Sequence, residues 1–447
     1  MLLRYFLLGL CVKLICTSNN TSENIPDEYI EEDSFYPPFE WSDTFDWKVL
    51  TILSQQSENV LFSPTSLKLV LGILYEASSG KTQKEFENAL QYLSKESVRN
   101  KTKDTIESLH VSPESRNILK FNTKLYLDSR LKIKELFAKR IKEYYETNVE
   151  CTNFTEAEMS ANKINSWASE STLGALKQLV VPDDIKDMTA LLVNAIYFKG
   201  FWRHTFPKNE THIAGFFSDP ESKMAVYIPY MTTSSSFYYF KSQRLEARIL
   251  RMPYKGNQFS MFFILPFSKG GLPNLIKNIN LLTLHRELYY LAKTPVLVTI
   301  PKFSFKLKAS YKDILKQFEF REIFENTASF PGIAEGNSSV LTDELIVSDI
   351  LQSASVDVDE EGSETFAATD VIIGNKIGVP ENVFNASHPF LFFIQDDTTG
   401  TILFLGKLSK PTNQQLEIKK TPDIPEDIKK EFQQTSSPPT KDPIAIR

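Results

Sequence analysis

The chain has 447 residues, of which 42% are hydrophobic and 24% charged, and its formal net charge is −6 at pH 7. This composition is typical of a globular chain with a large core. The acidic balance argues against a general nucleic-acid binder, which would present a basic face. Beyond the first residues, no apolar run approaches the roughly 20 residues of a membrane-spanning helix, so no membrane partner is expected.

Residues 1–18 combine an early arginine, an apolar run and small residues at the end, a pattern that indicates a cleaved secretory signal peptide. The alternative interpretation is a short membrane anchor, but Lys13 interrupts a run that is already too short to span a bilayer. Because Asn-x-Ser/Thr sequons accept glycans in secreted proteins, we predict a secreted, extracellular glycoprotein. The candidate glycosylation sites are Asn20, Asn100, Asn153, Asn209, Asn337 and Asn385.

Cysteine is scarce, and once the signal is removed Cys151 is the only one. A secreted chain with one cysteine has no internal disulfide, so its stability has to come from a large core. We interpret Cys151 as a small buried hydrophobic residue, with a reactive thiol as the alternative.

Both ends of the chain differ from its middle in composition. Residues 19–44 are rich in Asp, Glu, Pro and Tyr, and residues 412–447 in Lys, Glu, Gln, Pro and Ser. Neither composition buries much apolar surface, so both segments are predicted to be disordered extensions. The acidic leader is interpreted as a solvated tail, and an arm that steers a basic partner is the alternative.

The middle of the chain shows helical and strand-like patterns. Apolar residues recur three and four positions apart, as in amphipathic helices, over 64–76, 84–93, 134–146 and 156–170. Runs rich in β-branched and aromatic residues predict strands at 190–198, 260–265, 295–300 and 390–394. No internal repeat or flexible linker divides this region. We therefore predict one mixed α/β domain over residues 45–411.

Several segments of this domain resemble the signatures of the serpin family. The family's early Ser-Pro-x-Ser motif is matched by Ser-Pro-Thr-Ser, and its central signature by Asn-Ala-Ile-Tyr-Phe-Lys-Gly-Phe-Trp. The matching segments, in chain order, are 59–66, 194–202, 252–256, 264–266, 300–303, 384–394 and 400–406. Their order and coverage make the resemblance specific.

The resemblance implies a serpin-like α/β fold with three β-sheets, about nine helices and an exposed reactive loop at about 360–389. In this family the native state is metastable, and cleavage lets the first half of the loop insert into the largest sheet as a new strand. The chain is similar to secreted inhibitory members with a reactive-site lysine, such as those of arthropod haemolymph.

The residues of the loop hinge show whether insertion is physically possible. Because alternate residues of a strand face opposite sides, one face contains only small or β-branched side chains, and the other contains Glu364 and Asp370. Burying those carboxylates would cost several kcal/mol, so insertion is possible in one register. Gly362 supplies a flexible start. The hinge residues are Glu360, Gly362, Ser363, Thr365, Ala367 and Thr369.

Two hinge residues depart from the alanine-like residues that inhibitory members usually show. Thr365 is small enough for the inward face, and Phe366 points outward by parity, where we expect it to be tolerated. An ordinary surface loop rich in Gly, Ser and Thr is the alternative interpretation of the hinge.

Family spacing places the attacked bond after the seventeenth loop residue, counted from Glu360, which is Lys376 of the bond Lys376–Ile377. A trypsin-like pocket has a carboxylate at its base that matches a lysine ammonium. Counting back from Pro389 gives Gly378 instead, so the position is defined to about two residues. A solubilising loop lysine is the alternative interpretation.

The resemblance also implies residues that control the opening of the sheet. Lys302 is expected to pair with Glu360, with Trp202 packed nearby, although a buried core tryptophan is an adequate alternative. The family's histidine in a lower polar cluster aligns with Gln352, which does not titrate near neutral pH, so no histidine-dependent pH effect on opening is expected. The complete predicted set is Lys302, Ser63, Ser66, Asn194, Trp202 and Gln352.

Four basic residues crowd the region that corresponds to the heparin-binding helix of some members. A solvated helix face is the favoured interpretation, and a weak site for a polyanion such as heparin is the alternative. The four are Lys95, Arg99, Lys101 and Lys103.

An enzymatic function finds no support, because the histidines lack metal-ligand spacing and no nucleophile motif is present. We expect no catalytic residue, metal or cofactor. The predicted function is that of a secreted, monomeric suicide-substrate inhibitor that forms a covalent complex with a trypsin-like protease of an extracellular proteolytic cascade. The alternative is a non-inhibitory serpin that acts as a carrier or chaperone.

Overall fold

The structure is a computed structural model that describes residues 43–174, 176–219, 221, 224–318, 320–334, 345–360 and 381–411. The predicted signal peptide, most of the leader and the C-terminal extension lie outside these ranges. So do the following predicted site residues: Asn20, Asn337, Gly362, Ser363, Thr365, Ala367, Thr369, Lys376 and Ile377.

Ten α-helices occur within the described ranges, close to the predicted number. The second begins at Pro64, which needs no backbone N–H there, and the Ser63 hydroxyl caps it by accepting a hydrogen bond from the Ser66 backbone N–H. The helices are α1 Asp43–Gln56, α2 Pro64–Ala77, α3 Gly80–Leu90, α4 Lys95–Ser108, α5 Glu135–Tyr145, α6 Ala157–Ser171, α7 Pro182–Ile185, α8 Leu272–Asn278, α9 Leu281–Tyr289 and α10 Lys312–Lys316.

The strands follow the predicted β-branched and aromatic runs, so the predicted mixed α/β fold is confirmed. They are β1 Val60–Phe62, β2 Ile118–Asp128, β3 Asn148–Thr152, β4 Ala190–Lys199, β5 His212–Phe216, β6 Val226–Ser242, β7 Ala247–Pro253, β8 Phe259–Pro266, β9 Ala292–Pro301, β10 Phe303–Ser310, β11 Val347–Val358, β12 Asn382–Asn385, β13 Phe390–Asp396 and β14 Ile402–Leu408.

Hydrogen bonding joins the described strands into two sheets where three were expected. The larger has nine strands in the order β1-β14-β13-β8-β7-β6-β9-β12, with β5 attached to β6. The 17-residue strand β6 is the reason. It pairs with β5 near its start, with β9 along its middle and with β7 near its end, so two of the expected sheets form one continuous network.

The second sheet has five strands in the order β10-β11-β4-β2-β3. One face packs on the aromatic-rich core that it shares with the larger sheet, through residues such as Phe198 and Val356. The lower part of the other face packs beneath α6, where Leu191 and Leu351 join a second apolar cluster. No helix within the described ranges is long and apolar enough to cross a membrane.

Candidate functional site

The central seam of the five-stranded sheet lies between β4 and β11, which run parallel. Their register pairs Val347 with Ala190 at one end and Asp357 with Lys199 at the other. On their outer sides the two strands pair antiparallel, β4 with β2 and β11 with β10. The seam is thus a parallel pair inside an otherwise mostly antiparallel sheet. Just beyond β11 the chain reaches Glu360, the first residue of the predicted reactive loop at about 360–389, of which residues 361–380 lie outside the described ranges.

Glu360 is held at the upper end of the seam by two polar side chains. Lys302 Nζ donates to Glu360 Oε2 at 2.6 Å, and Thr211 Oγ1 donates to Oε1 at 2.9 Å. Burial alone would raise the pKa of Glu360, but the hydrogen bonds from Lys302 and Thr211 outweigh it and hold the pKa below its usual value. The carboxylate is therefore ionised at neutral pH. The structure places the expected pair together and adds Thr211, which no sequence signal indicated.

Trp202 hydrogen-bonds Asp359, the residue before Glu360. Its indole Nε1 donates to the Asp359 carbonyl oxygen at 2.9 Å. The ring is stacked on Tyr254 at 4.4 Å between centroids and meets Phe206 edge-on. Trp202 is thus both a core residue, as in the alternative interpretation, and a hydrogen-bond partner of the segment that leads to Glu360.

One step down the seam, a hydrogen bond crosses directly from β4 to β11. Tyr197 of β4 donates its hydroxyl to Asp357 Oδ2 at 3.2 Å, and Ser304 of β10 donates to Oδ1 at 2.5 Å. Burial, and then the nearby Asp357 carboxylate, raise the pKa of Tyr197, so the phenol stays protonated and can serve as donor. No sequence signal indicated these three residues.

A polar cluster lies lower in the sheet, where β11 meets the start of α2. The Gln352 amide accepts from the Ser63 backbone N–H at 2.7 Å and donates to the Ser63 carbonyl oxygen at 3.0 Å. Tyr311 donates its hydroxyl to the same Gln352 oxygen at 3.1 Å. Gln352 therefore ties β11 to the N-terminus of α2 with a side chain that carries no titratable proton.

Asn194 is the register partner of Gln352 on β4, but its amide turns towards β2. It donates to Thr123 Oγ1 at 2.8 Å and to the Asn122 carbonyl oxygen at 3.2 Å. Asn194 therefore fastens β4 to β2, while Ser63 and Gln352 fasten β11 to α2. The polar cluster expected from the resemblance is divided between the two sides of the seam.

Three buried polar atoms beside the seam have no hydrogen-bond partner within the described part of the chain. They are Ser66 Oγ, Asn194 Oδ1 and Ser355 Oγ. A buried polar group without a partner costs about 1–3 kcal/mol. The seam between β4 and β11 therefore has buried polar atoms without hydrogen-bond partners as well as polar side chains that are hydrogen-bonded.

The basic residues of α4 do not form a free cationic face. Lys95 donates to the carbonyl oxygens of Glu76 and Ser78, at 3.1 and 2.6 Å. Arg99 Nε lies 3.1 Å from the buried Glu76 carboxylate. Lys101 and Lys103 are exposed, and Lys103 lies 3.9 Å from Glu107. Two of the four cations therefore fix α4 to α2, and both the solvated-face prediction and its polyanion alternative concern the exposed Lys101 and Lys103.

Cys151 is exposed, which corrects its interpretation as a buried hydrophobic residue. It lies on β3, the outermost strand of the five-stranded sheet, where one strand edge has no neighbour among the described strands. Of the described sequons, Asn100, Asn209 and Asn385 are exposed. Asn153 is half-buried and hydrogen-bonds Glu156 and Thr155 through its side chain.

No group of three or more His, Cys, Asp or Glu side chains arranged to hold a metal ion occurs in the described ranges. The candidate site is instead the parallel pair of β4 and β11, which side-chain hydrogen bonds hold in place and which ends next to the predicted reactive loop.

Comparisons with known proteins give one consistent result. The family model described as "Serpin (serine protease inhibitor)" matches residues 41–411. Serine protease inhibitor 2 of Anopheles gambiae is 34% identical over 371 residues, which cover 81% of this chain and 90% of that protein. Human neuroserpin is 30% identical, over 80% of this chain and 87% of its own. The crystal structure of Serpin48 from Tenebrio molitor superposes with a TM-score of 0.73 at 27% identity, covering 86% of this chain and 100% of that one.

Proposed function

Because the chain belongs to the serpin family, we propose that it is a secreted suicide-substrate inhibitor of a trypsin-like serine protease. The protease cleaves Lys376–Ile377 and remains trapped as an acyl-enzyme when the loop inserts into the five-stranded sheet. The Anopheles relative, whose name describes a serine protease inhibitor, supports this assignment.

The observation that carries the proposal is the parallel pairing of β4 and β11 next to Glu360. A chain that leaves β11 at Glu360 and folds back runs antiparallel to β11. Since β4 is parallel to β11, the same segment also runs antiparallel to β4. Insertion thus replaces one parallel ladder by two antiparallel ladders, which are slightly more stable per residue. The topology therefore leaves a place for one more strand.

In this proposal, the side-chain contacts along the seam keep β4 and β11 paired until the loop inserts. The bonds of Glu360 with Lys302 and Thr211, together with Trp202 on Asp359, hold the upper end until the loop enters. Gln352 on Ser63 holds the lower part of β11 to α2.

The covalent chemistry belongs to the protease. Its serine oxygen attacks the Lys376 carbonyl carbon, the bond to Ile377 breaks, and the new amine of Ile377 leaves with the proton that the protease histidine took from the serine. Lys376 is thus the acyl group of a normal intermediate. Insertion of the segment before it carries the protease away before water completes hydrolysis.

Incubation with trypsin followed by denaturing electrophoresis tests the proposal. We expect a band at the summed mass of the two proteins, and its loss in Lys376→Ala. The matched control is Lys308→Ala, which removes a half-exposed lysine from β10 and should leave the complex intact. Cleavage at Lys376 without a stable complex would overturn inhibition and favour the carrier or chaperone alternative. A complex that persists in Lys376→Ala would show that the reactive bond lies at another position.

A further inference from the structure

Helix α9 carries apolar side chains on two opposite sides. Its inner side buries three leucines against the rest of the protein. On its outer side Leu282, Tyr289 and the adjoining Tyr290 are 59%, 54% and 51% exposed, and their spacing places them on one helical face. A surface helix normally presents polar side chains to solvent. The outer side of α9 therefore needs an explanation other than folding.

We call this outer surface the α9 face and define it by Phe240, Leu282, Arg286, Tyr289 and Tyr290. The Tyr290 ring is stacked on Phe240 of β6 at 5.4 Å between centroids and meets Tyr289 edge-on at 5.8 Å. The three rings are therefore contiguous. Contiguous exposed apolar patches with a polar rim mark sites where another segment or molecule binds.

The rim of the α9 face carries more cations than carboxylates. Arg244 and Arg286 lie 3.6 and 3.7 Å from the buried Glu287 carboxylate. Lys293 lies on the neighbouring strand β9, opposite Tyr238 of β6. The cations around the face are Lys241, Arg244, Arg286 and Lys293, and the acidic residues are Glu246 and Glu287. An acidic segment with apolar side chains therefore complements this surface.

The C-terminal extension begins at the same end of the larger sheet as the aromatic rings. Lys407 of β14 lies level with Phe240 of β6 across four strand ladders. The intermediate residues are Leu391, Ile264 and Ile249. Because adjacent strands are about 4.8 Å apart, about 19 Å of sheet separates the two residues. Residues that lie opposite each other share a face of the sheet, so Phe240 lies on the same face as Lys407.

One segment of the extension has the composition that this surface requires. Ile424, Ile428 and Phe432 recur four residues apart, as on one face of a helix. Segment 423–432 also contains four acidic residues and two lysines. Ile424 follows Pro411 by 13 residues, which span up to about 45 Å. The segment can therefore reach the α9 face with chain to spare.

The N-terminal leader also contains acidic and aromatic residues, but it joins the sheet at the other end. Lys407 Nζ donates to the carbonyl oxygen of Ser54, which lies in the last turn of α1. Thr44, at the start of α1, lines the same cavity as Thr399 and Thr401, in the turn before β14 begins. The leader therefore enters at the opposite end of β14 from the extension, away from the aromatic rings.

We infer that the α9 face is the docking surface for segment 423–432 of the chain's own C-terminal extension. The apolar side chains of the segment cover Leu282 and the two tyrosines, and its carboxylates face the cationic rim. A short tether gives an effective concentration of about 1 mM, so a site with a Kd of about 0.1 mM is about nine-tenths occupied. The inference goes beyond the proposed function and is independent of it, because docking requires neither a protease nor the reactive loop.

Zero-length cross-linking of the full chain with a carbodiimide tests this docking, because the reagent joins a carboxylate only to an amine in contact with it. Mass spectrometry of the digested monomer fraction should show links from Glu426 or Asp427 to Lys241 or Lys293. No protease other than the digestion enzyme is involved, so the result is separate from the test of inhibition.

Two double variants of the folded body show whether the α9 face holds the segment. Leu282→Ser with Tyr289→Ser should lower the yield of these links about tenfold, since a site weakened about a hundredfold is about one-tenth occupied. The matched control is Leu136→Ser with Met159→Ser, which removes side chains that are 59% and 65% exposed on α5 and α6. The yield in the control should change less than about twofold. Equal circular dichroism spectra would show that both variants keep the fold.

A second pair of variants tests the segment itself. Ile428→Ser with Phe432→Ser should lower the yield as the α9 variant does, and Ile444→Ser with Ile446→Ser should not. Absence of links to either lysine, or equal yields in the α9 variant and its control, would overturn the inference. Links found only in a dimer fraction would assign the face to a second copy of the chain, and links from the leader carboxylates would assign it to the leader. Both results would also overturn it.

Discussion

The ion pair between Lys302 and Glu360 offers a direct test of how the seam is closed. In Lys302→Met the Glu360 carboxylate, whose side chain is 8% exposed, loses its ammonium partner. Exposed pairs contribute about 0–1 kcal/mol, and breaking a fully buried pair costs about 3–5 kcal/mol. Because the Lys302 side chain is 23% exposed, the free-energy cost of breaking this pair is expected to lie between these two values. We expect a loss of about 2 kcal/mol, which lowers the urea midpoint by about 0.7 M at an m-value of about 3 kcal/mol/M.

The matched control is Lys308→Met, which breaks a pair with Asp184 whose side chains are 39% and 46% exposed. It should cost less than about 0.5 kcal/mol. The pKa of Glu360 lies below its usual value, so its contribution is complete above the unfolded pKa and is lost as the pH falls through the folded pKa. The gap between Lys302→Met and the unmodified chain should therefore narrow as the pH falls below the unfolded pKa of about 4.3 and close below the folded pKa of Glu360. Equal midpoints for both variants at pH 7, or a gap that does not narrow as the pH falls, would refute the reasoning.

Other residues give further predictions. Gln352→Leu leaves the Ser63 backbone and the Tyr311 hydroxyl without their buried partner and should cost about 3 kcal/mol in urea unfolding; a loss under about 1 kcal/mol would contradict this. Gln352→His adds a buried imidazole, which resists protonation, so stability should fall below about pH 6 more steeply than in the unmodified chain, where burial already lowers the pKa of His388. Heparin should change the rate of trypsin inhibition less than twofold, since Arg99 is engaged; a larger acceleration would restore the polyanion site. Cys151 is exposed and should be alkylated stoichiometrically in the native protein. It should react more slowly at neutral pH than a free small-molecule thiol, because partial burial raises the pKa of its thiol; protection from alkylation would contradict its exposure.

The fold could be predicted largely from sequence because its elements have strong local periodicity. The predicted helix at 64–76 matches α2, and the predicted strand at 190–198 matches β4. The joining of two expected sheets through β6 could not be predicted, because the length of a strand does not reveal which neighbours pair along each part of it.

The site was predictable where a family motif fixes both partners, as for Lys302 and Glu360. Tyr311 was missed because it lies 41 residues before Gln352 and no local pattern links them. Asn194 was expected in the same cluster as Ser63, but the rotamer of its amide, which turns towards β2, depends on tertiary contacts. The exposure of Cys151 depends on the position of β3 at the edge of its sheet, which residue type does not indicate.

The three unpartnered atoms beside the seam set a limit on engineering the molecule for durability. Replacing Ser355 by alanine would remove a buried hydroxyl oxygen that has no partner in the described chain, and would be expected to raise the melting temperature. Under the proposed function, the same replacement would lessen the free energy released when the loop inserts between β4 and β11. Selection of this chain for heat resistance alone would thus favour changes that slow the proposed insertion and weaken inhibition.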